Sequence, residues 1–274
     1  MPWPFEREYM QLALAAGVIV GATAPLIGTF LVQRRMSLMG DGIGHVAFAG
    51  VAGGLLVDVW PVWTALGLAV VAAVAMERLR HRTQASGDVA LALFFYSGIA
   101  GGVVLVGLDG SLNANLFSYL FGAVLTVDRN ELVTIACLGA VVVLTIALTR
   151  RALFGLVVDE EWAGVAGVPA AALNVMLAAL TAVTIVAAMR IVGLLLVAAL
   201  MVLPVASAQL LAGSFRGTLR WSVVIGVLSV VVGLAAARIW GLAPGGTIVL
   251  VCAALFVIVA AVRRRGPMLA TTAT

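Results

Sequence analysis

The chain has 274 residues, 64% of them hydrophobic and only 10% charged, with a formal net charge of +4. All sixteen basic residues are arginine, which excludes a phosphate-binding P-loop, because that loop needs a lysine to reach the nucleotide phosphates. The arginines are dispersed between apolar blocks rather than gathered on one face, so the positive charge is no nucleic-acid footprint, and Cys137 and Cys252, alone in separate blocks, make neither a disulfide framework nor a Cys-based metal site.

The apolar blocks run about 15 to 24 residues each, enough to cross a ~30 Å hydrocarbon core at ~1.5 Å per residue. They predict one all-α, polytopic membrane domain over residues 1–274. Spans are expected near 9–32, 42–58, 62–77, 88–107, 131–149, 169–189, 190–211, 218–237 and 244–262. The opening MPWPFEREYMQ carries two acids and one arginine, unlike the basic start of a cleaved signal peptide, so the first block is expected to stay as a span. Nine spans put the termini on opposite sides, and the positive-inside rule sets the direction. With the N-terminus outside and the C-terminus cytoplasmic, Arg34, Arg35, Arg78, Arg80, Arg82, Arg150, Arg151, Arg216, Arg220, Arg263, Arg264 and Arg265 lie inside. Only Arg7, Arg129, Arg190 and Arg238 lie outside.

Two segments depart from this pattern. LNANLFSYLFGAVLTV, residues 112–127, is apolar but short, and counting it as a span would reverse the charge bias; it reads as an outer-face or re-entrant helix. Residues 152–168, ALFGLVVDEEWAGVAGV, form the longest inner loop, with Asp159, Glu160 and Glu161 after a Phe-Leu-Val run. They read as a short amphipathic helix at the inner surface, ending at Pro169, which can begin the next helix. Pro204 removes a backbone hydrogen bond inside 190–211 and predicts a kink or split there. Pairs spaced as GxxxG, Gly17/Gly21, Gly40/Gly44, Gly50/Gly54 and Gly98/Gly102, predict close helix packing without specifying the partner.

Away from span ends the only ionisable residues are Asp41 and His45, in RRMSLMGDGIGHVAFAGVAGGLLVDVW. A charge at mid-bilayer costs ~3 kcal/mol or more unless paired or wet, which makes the pair a functional candidate. The competing reading is that Asp41 merely pairs with His45 or belongs to the inner interface, six residues past Arg35. At i and i+4 the two side chains share one helix face with Cβ atoms ~6 Å apart, so a carboxylate oxygen and an imidazole nitrogen can touch one ion. Oxygen with nitrogen suits zinc or manganese better than copper(I). Two ligands are too few, since zinc takes about four. A homodimer about a two-fold axis would supply two of each, with Gly40, Gly42 and Gly44 letting the helices approach; neighbouring spans or water are the other source.

The runs RRMSLMGDGIGHVAFAGVAGGLL, YLFGAVLTV, VVDEEWAGVAGVP and RIVGLLLVAALMVLPVASAQLLA, in this order over nearly the whole chain, resemble the permease subunits of ABC importers for zinc and manganese. The resemblance implies that Asp41 and His45 ligate the metal in the translocation pathway. It also implies that Asp159, Glu160, Glu161, Ala163, Gly164, Gly167 and Pro169 belong to coupling helices docking into a separate ATPase. Two permeases, two cytoplasmic ATPase subunits that bind the ATP, and an extracytoplasmic metal-binding protein would make up the assembly in the cytoplasmic membrane. The chain would hold no intrinsic cofactor and perform no bond chemistry. Many manganese-type members have Leu-Pro-Gly shortly after the histidine. This chain has Phe48-Ala49-Gly50, with Gly40 before the aspartate as in many zinc-type members, which favours zinc over manganese or iron.

Two competitors belong to other classes. In a secondary transporter driven by an ion gradient, Asp41 and His45 would relay protons. An intramembrane metalloenzyme is disfavoured by the absence of HExxH and of a second intramembrane acid–histidine set.

Overall fold

The computed structural model describes residues 5–82, 87–109, 114–123 and 127–265. Among the described residues the regular structure is helical throughout: α1 Glu8–Gln33, α2 Met39–Leu56, α3 Pro61–Arg82, α4 Gly87–Asp109, α5 Ala114–Phe121, α6 Arg129–Val158, α7 Glu160–Val165, α8 Ala170–Ala188, α9 Val197–Leu211, α10 Phe215–Trp240 and α11 Pro244–Arg265. Helices dominate because hydrocarbon offers no partner to a free backbone N–H or C=O, and a helix satisfies both within itself. Buried hydroxyls obey the same constraint: Thr23, Thr29, Thr181, Thr184 and Ser229 each donate to a carbonyl four residues back.

Each of the nine expected spans contains a helix. Among the described residues seven helices, α1, α3, α4, α6, α8, α10 and α11, are long and apolar enough to cross a membrane. The other two fall short for different reasons. In α2 the polar pair and six glycines dilute the hydropathy. The α9 helix has only 15 residues, because the apolar stretch expected as a span from 190 begins as irregular backbone and turns helical only at Val197. The α9 helix then runs through Pro204 without interruption, so the break lies upstream of the proline rather than at it.

Packing divides into three parts. The α2 helix lies between α3 and α4; α1, α9, α10 and α11 form a second group; α8 joins them, touching α1, α2, α3 and α6. Burial follows this order, with 67% of the apolar window of α1 inside the protein against 17% for α4. Exposed Val103, Val104 and Leu108 of α4, Leu144 and Leu148 of α6, and Leu250 and Val257 of α11 present apolar side chains to lipid. Where α1 crosses α10, Pro25 cannot donate to the Gly21 carbonyl, and Gly226 covers that oxygen so closely that a Cβ would stand 2.3 Å from it.

The irregular stretch between α8 and α9 is buried from Met189 to Leu194, and its polar backbone is satisfied by α5. Leu194 and Leu195 donate to the Tyr119 and Leu120 carbonyls at the end of α5, and Ala123 donates back to Arg190. Helix α5 thereby gains caps for its last carbonyls. Gly193 (φ +93°) and Gly122 (φ +79°) make the contact possible: a Cβ on Gly193 would lie 2.3 Å from the Leu120 oxygen. The expected short helix at 112–127 is therefore present as α5, with 112–113 and 124–126 outside the described residues.

The expected inner loop at 152–168 is mostly helix of another kind. The α6 helix continues for 30 residues to Val158, about 45 Å, longer than the bilayer core. Only Glu160–Val165 forms a separate helix, α7, started by the Asp159 side chain, which accepts from the Trp162 amide at 2.9 Å.

Candidate metal site on the second helix

Asp41 and His45 sit on α2, Asp41 in its first turn, where the helix dipole favours a carboxylate. From Met39 to Ala52 every residue of α2 is buried except three, Asp41, His45 and Phe48. Their spacing, i, i+4 and i+7, is one helical stripe. Over Met39–Ala52 the remainder of α2 is enclosed by its own chain, and there this stripe alone is left partly open.

The enclosure is built from glycine. Gly50 and Gly54 face Ala65 and Thr64 of α3; Gly40 faces Ala198 and Met201 of α9; Gly42 faces Met76 of α3 and Leu91 of α4; Gly44 faces the Leu194 carbonyl. Gly40, Gly42 and Gly44 therefore do not let a second copy approach, as their spacing had suggested, because segments of the same chain already occupy those faces. The stripe is flanked by α4: the His45 ring meets Phe95 edge-on with centroids 4.3 Å apart, and Gly98 abuts the His45 backbone. Among the described residues no group of three or more His, Cys, Asp or Glu side chains could hold a metal. The described part of the chain thus offers one oxygen and one nitrogen donor side by side, half of what zinc takes.

At the α7 end of the bundle, the predicted coupling residues divide by orientation. Glu161, Gly164 and Gly167 are exposed, and Ala163 is buried at 3% exposure, anchoring α7. Gly167 takes φ +83°, and Pro169 caps α8. Glu160 turns inward: its Oε2 accepts from Arg34 at 2.6 Å and its Oε1 from the Asn174 amide at 2.7 Å, while Arg34 also donates to Asn174 Oδ1. Burial disfavours the Glu160 carboxylate, but these hydrogen bonds and the charges of Arg34 and Arg80 outweigh it and hold its pKa below the usual glutamate value. The acidic run led sequence reasoning to treat Glu160 and Glu161 alike and to pass over Trp162 and Val165, which are 72% and 88% exposed. Their signal was an aromatic and a branched residue three positions apart in a six-residue helix.

At the opposite end, Glu131 and Arg190, the first residues of the spans expected at 131–149 and 190–211, are buried and paired at 2.7 Å. Arg190 also donates to Ser118 and stacks over Tyr119, 4.7 Å from the ring centroid. Opposite charges at the same predicted end of two spans were the available clue.

The chain matches the ABC 3 transport family over residues 6–263 and belongs to it. It is 32% identical over 252 residues to the high-affinity zinc uptake system membrane protein ZnuB of Haemophilus influenzae, covering 92% of this chain and 96% of that protein. It is 33% identical over 250 residues to the manganese transport system membrane protein MntC of Halalkalibacterium halodurans, covering 91% and 85%. The structure of PsaBC from Streptococcus pneumoniae in complex with Fab superposes with a TM-score of 0.84 at 30% identity, over 93% of this chain and 91% of that one. The chain is thus a multi-pass membrane transport subunit and not an enzyme.

Proposed function

We propose that this chain, as one permease domain, forms the pathway of an ATP-driven importer for a divalent metal cation in the cytoplasmic membrane, with Asp41 and His45 as ligands to the ion in transit. The observation that carries this is the stripe on α2: the two intramembrane donors are the polar members of the face that its own chain leaves partly open between Met39 and Ala52. Two copies would supply two carboxylates and two imidazoles, and two carboxylates offset the charge of a divalent cation. Nine spans with the N-terminus outside place α7 at the cytoplasmic face, where exposed Trp162 and Val165 dock into the ATPase that binds and hydrolyses ATP. A metal-binding protein delivers the ion at the α5 end, and alternating access moves it inward.

Zinc is the favoured substrate on local residues, Gly40 before the aspartate and Phe48-Ala49-Gly50 after the histidine. The zinc and manganese relatives are similar in identity, 32% and 33%, and imidazole with carboxylate accepts either ion, so substrate choice is put to the experiment. ATP-dependent uptake of zinc and of manganese is measured in membranes carrying the chain with its ATPase. Asp41→Ala and His45→Ala each lower uptake at least about tenfold, as expected for lost ligation, while the ATPase still co-purifies. Full uptake of both ions in both variants overturns the site. Uptake that ignores ATP but collapses with the ion gradient overturns the ATP-driven reading.

A further inference from the structure

The ring formed by Arg34, Glu160 and Asn174 ties α7 directly to the end of α1, whereas α8, which carries Asn174, already packs against α1. Among the described residues the α7 helix packs chiefly on its neighbours in sequence, α6 and α8, with Ala163 as its one buried residue. Its hydrogen bond to the first half of the chain runs from Arg34 to Glu160, across 126 positions, and the charge of Arg80 acts on the same carboxylate. Arg34 is the C-cap of α1, with its side chain only 6% exposed. It stands five residues before Met39, the start of α2, and seven before Asp41.

The linker between Arg34 and α2 starts from a left-handed cap that ends α1. Arg35 adopts φ +59°, a left-handed conformation in which few residues other than glycine settle without support from their surroundings. That support is local: Arg35 donates to the Val32 carbonyl and Met36 to the Leu31 carbonyl, closing the end of α1. One wall of a cleft of about 630 Å³ is formed by this same linker, from Val32 through Met39, with Glu77 and Arg80 opposite. The linker is therefore held at Arg34 and has open space on its other side.

We propose that Arg34 is a positioning residue for transport: it passes displacement of α7 to the α1–α2 linker and so sets the position of the Asp41–His45 stripe. The proposal rests on the permease reading above. When the ATPase shifts α7, Glu160 moves with it. The guanidinium, gripped by both Glu160 and Asn174 in a planar fork that a point charge cannot reproduce, carries the end of α1 along. The linker yields into the cleft, and the N-terminal turn of α2, with Asp41, is repositioned. In this arrangement Glu160 is an internal tie, while the outward residues of α7 meet the ATPase.

The test is made on the complete complex with its ATPase, reading ATP hydrolysed per metal ion taken up, with zinc and manganese as probes. Glu160→Gln is nearly isosteric and Arg34→Lys keeps the charge while losing the fork. Each variant raises the ratio by about tenfold, the order expected for residues that carry coupling without touching either ligand. The double variant raises it no further, because both single changes break the same link. If Arg34→Lys prevents co-purification of the ATPase, Asn174→Ser takes its place. An unchanged ratio in the single variants, or effects that multiply in the double, overturns the proposal. Failure of the underlying reading shows separately, as wild-type uptake that does not require ATP.

Discussion

Gly98 of α4 lies directly against the backbone of His45. A Cβ at Gly98 would stand 2.7 Å from the His45 carbonyl carbon and 2.6 Å from the next amide nitrogen, closer than any Cβ contact can be without backbone movement. The separation of α2 and α4 at the level of the imidazole is therefore set by one missing methyl group. Phe95, one turn earlier on α4, rests on the imidazole at that fixed separation. Gly98→Val should push the helices apart, cost about 1–3 kcal/mol as overpacking does, and lower metal uptake at least about tenfold by moving Phe95 off His45. Gly101→Ala is the control, since its Cβ would meet Ala49 at an ordinary 3.8 Å. Uptake assays beside thermal melts of both variants check this, and equal uptake in the two would refute it.

Glu131 and Arg190 form the buried ion pair of the other end, each side chain 10% exposed. Replacing one partner leaves a charge in a poor solvent, which costs about 3–5 kcal/mol. Glu131→Ala should thus lower the melting temperature of the purified protein markedly. The double change Glu131→Leu with Arg190→Met should recover part of the loss, though not all, because Arg190 also holds Ser118 and Tyr119 of α5. Thermal melts of the single and double variants decide it. A double variant less stable than the single would contradict the pairing.

The helices were legible in the sequence because hydrocarbon leaves the backbone one economical solution, and an apolar run long enough to span is visible without any partner. The Asp41–His45 stripe was legible for a similarly local reason, since i and i+4 fix a shared face before any neighbour is known. What could not be read depended on distant segments. The stretch 190–196 is as apolar as a helix and is broken because α5 supplies acceptors for Leu194 and Leu195. The glycines of α2 announced close packing, yet whether the partner was α3, α9 or another copy was a matter of tertiary arrangement. Glu160 and Glu161 are chemically alike, and only the positions of Arg34 and Asn174 turn one of them inward.

Trp162 and Val165 project from α7 with little of their own chain around them. A large exposed tryptophan at a docking surface is the type of residue that carries binding energy, at least about 2 kcal/mol when truncated. Trp162→Ala should therefore leave the melting temperature of the isolated permease within experimental error while weakening co-purification of the ATPase about tenfold or more. Ala163→Leu, one residue on, should do the reverse: Ala163 is buried, so the larger side chain destabilises the permease itself. Paired melts and pull-downs distinguish the two, and a Trp162→Ala variant that melts early but still retains its ATPase would remove α7 from the docking surface.

The tie from Glu160 to Arg34 also has a defined dependence on pH. Burial alone would raise the Glu160 pKa, but the hydrogen bonds from Asn174 and Arg34, aided by the charges of Arg34 and Arg80, lower it from the ordinary 4.5. A carboxyl group whose folded pKa is depressed contributes stability that is complete above its unfolded value and is lost as pH falls through the folded one. The contribution should thus be constant from neutral pH down to about 5 and decline as pH falls from the ordinary carboxylate value toward the lower folded one. The measurement is the difference in melting temperature between the wild-type chain and Glu160→Gln, which cannot ionise. That difference should hold steady between pH 7 and about 5 and shrink below about 4.5 as the wild-type carboxylate takes up its proton. A difference that already shrinks between pH 7 and about 5.5 would mean that the folded pKa is raised, with burial outweighing the hydrogen bonds, and the ring would then hold α7 only weakly near neutral pH.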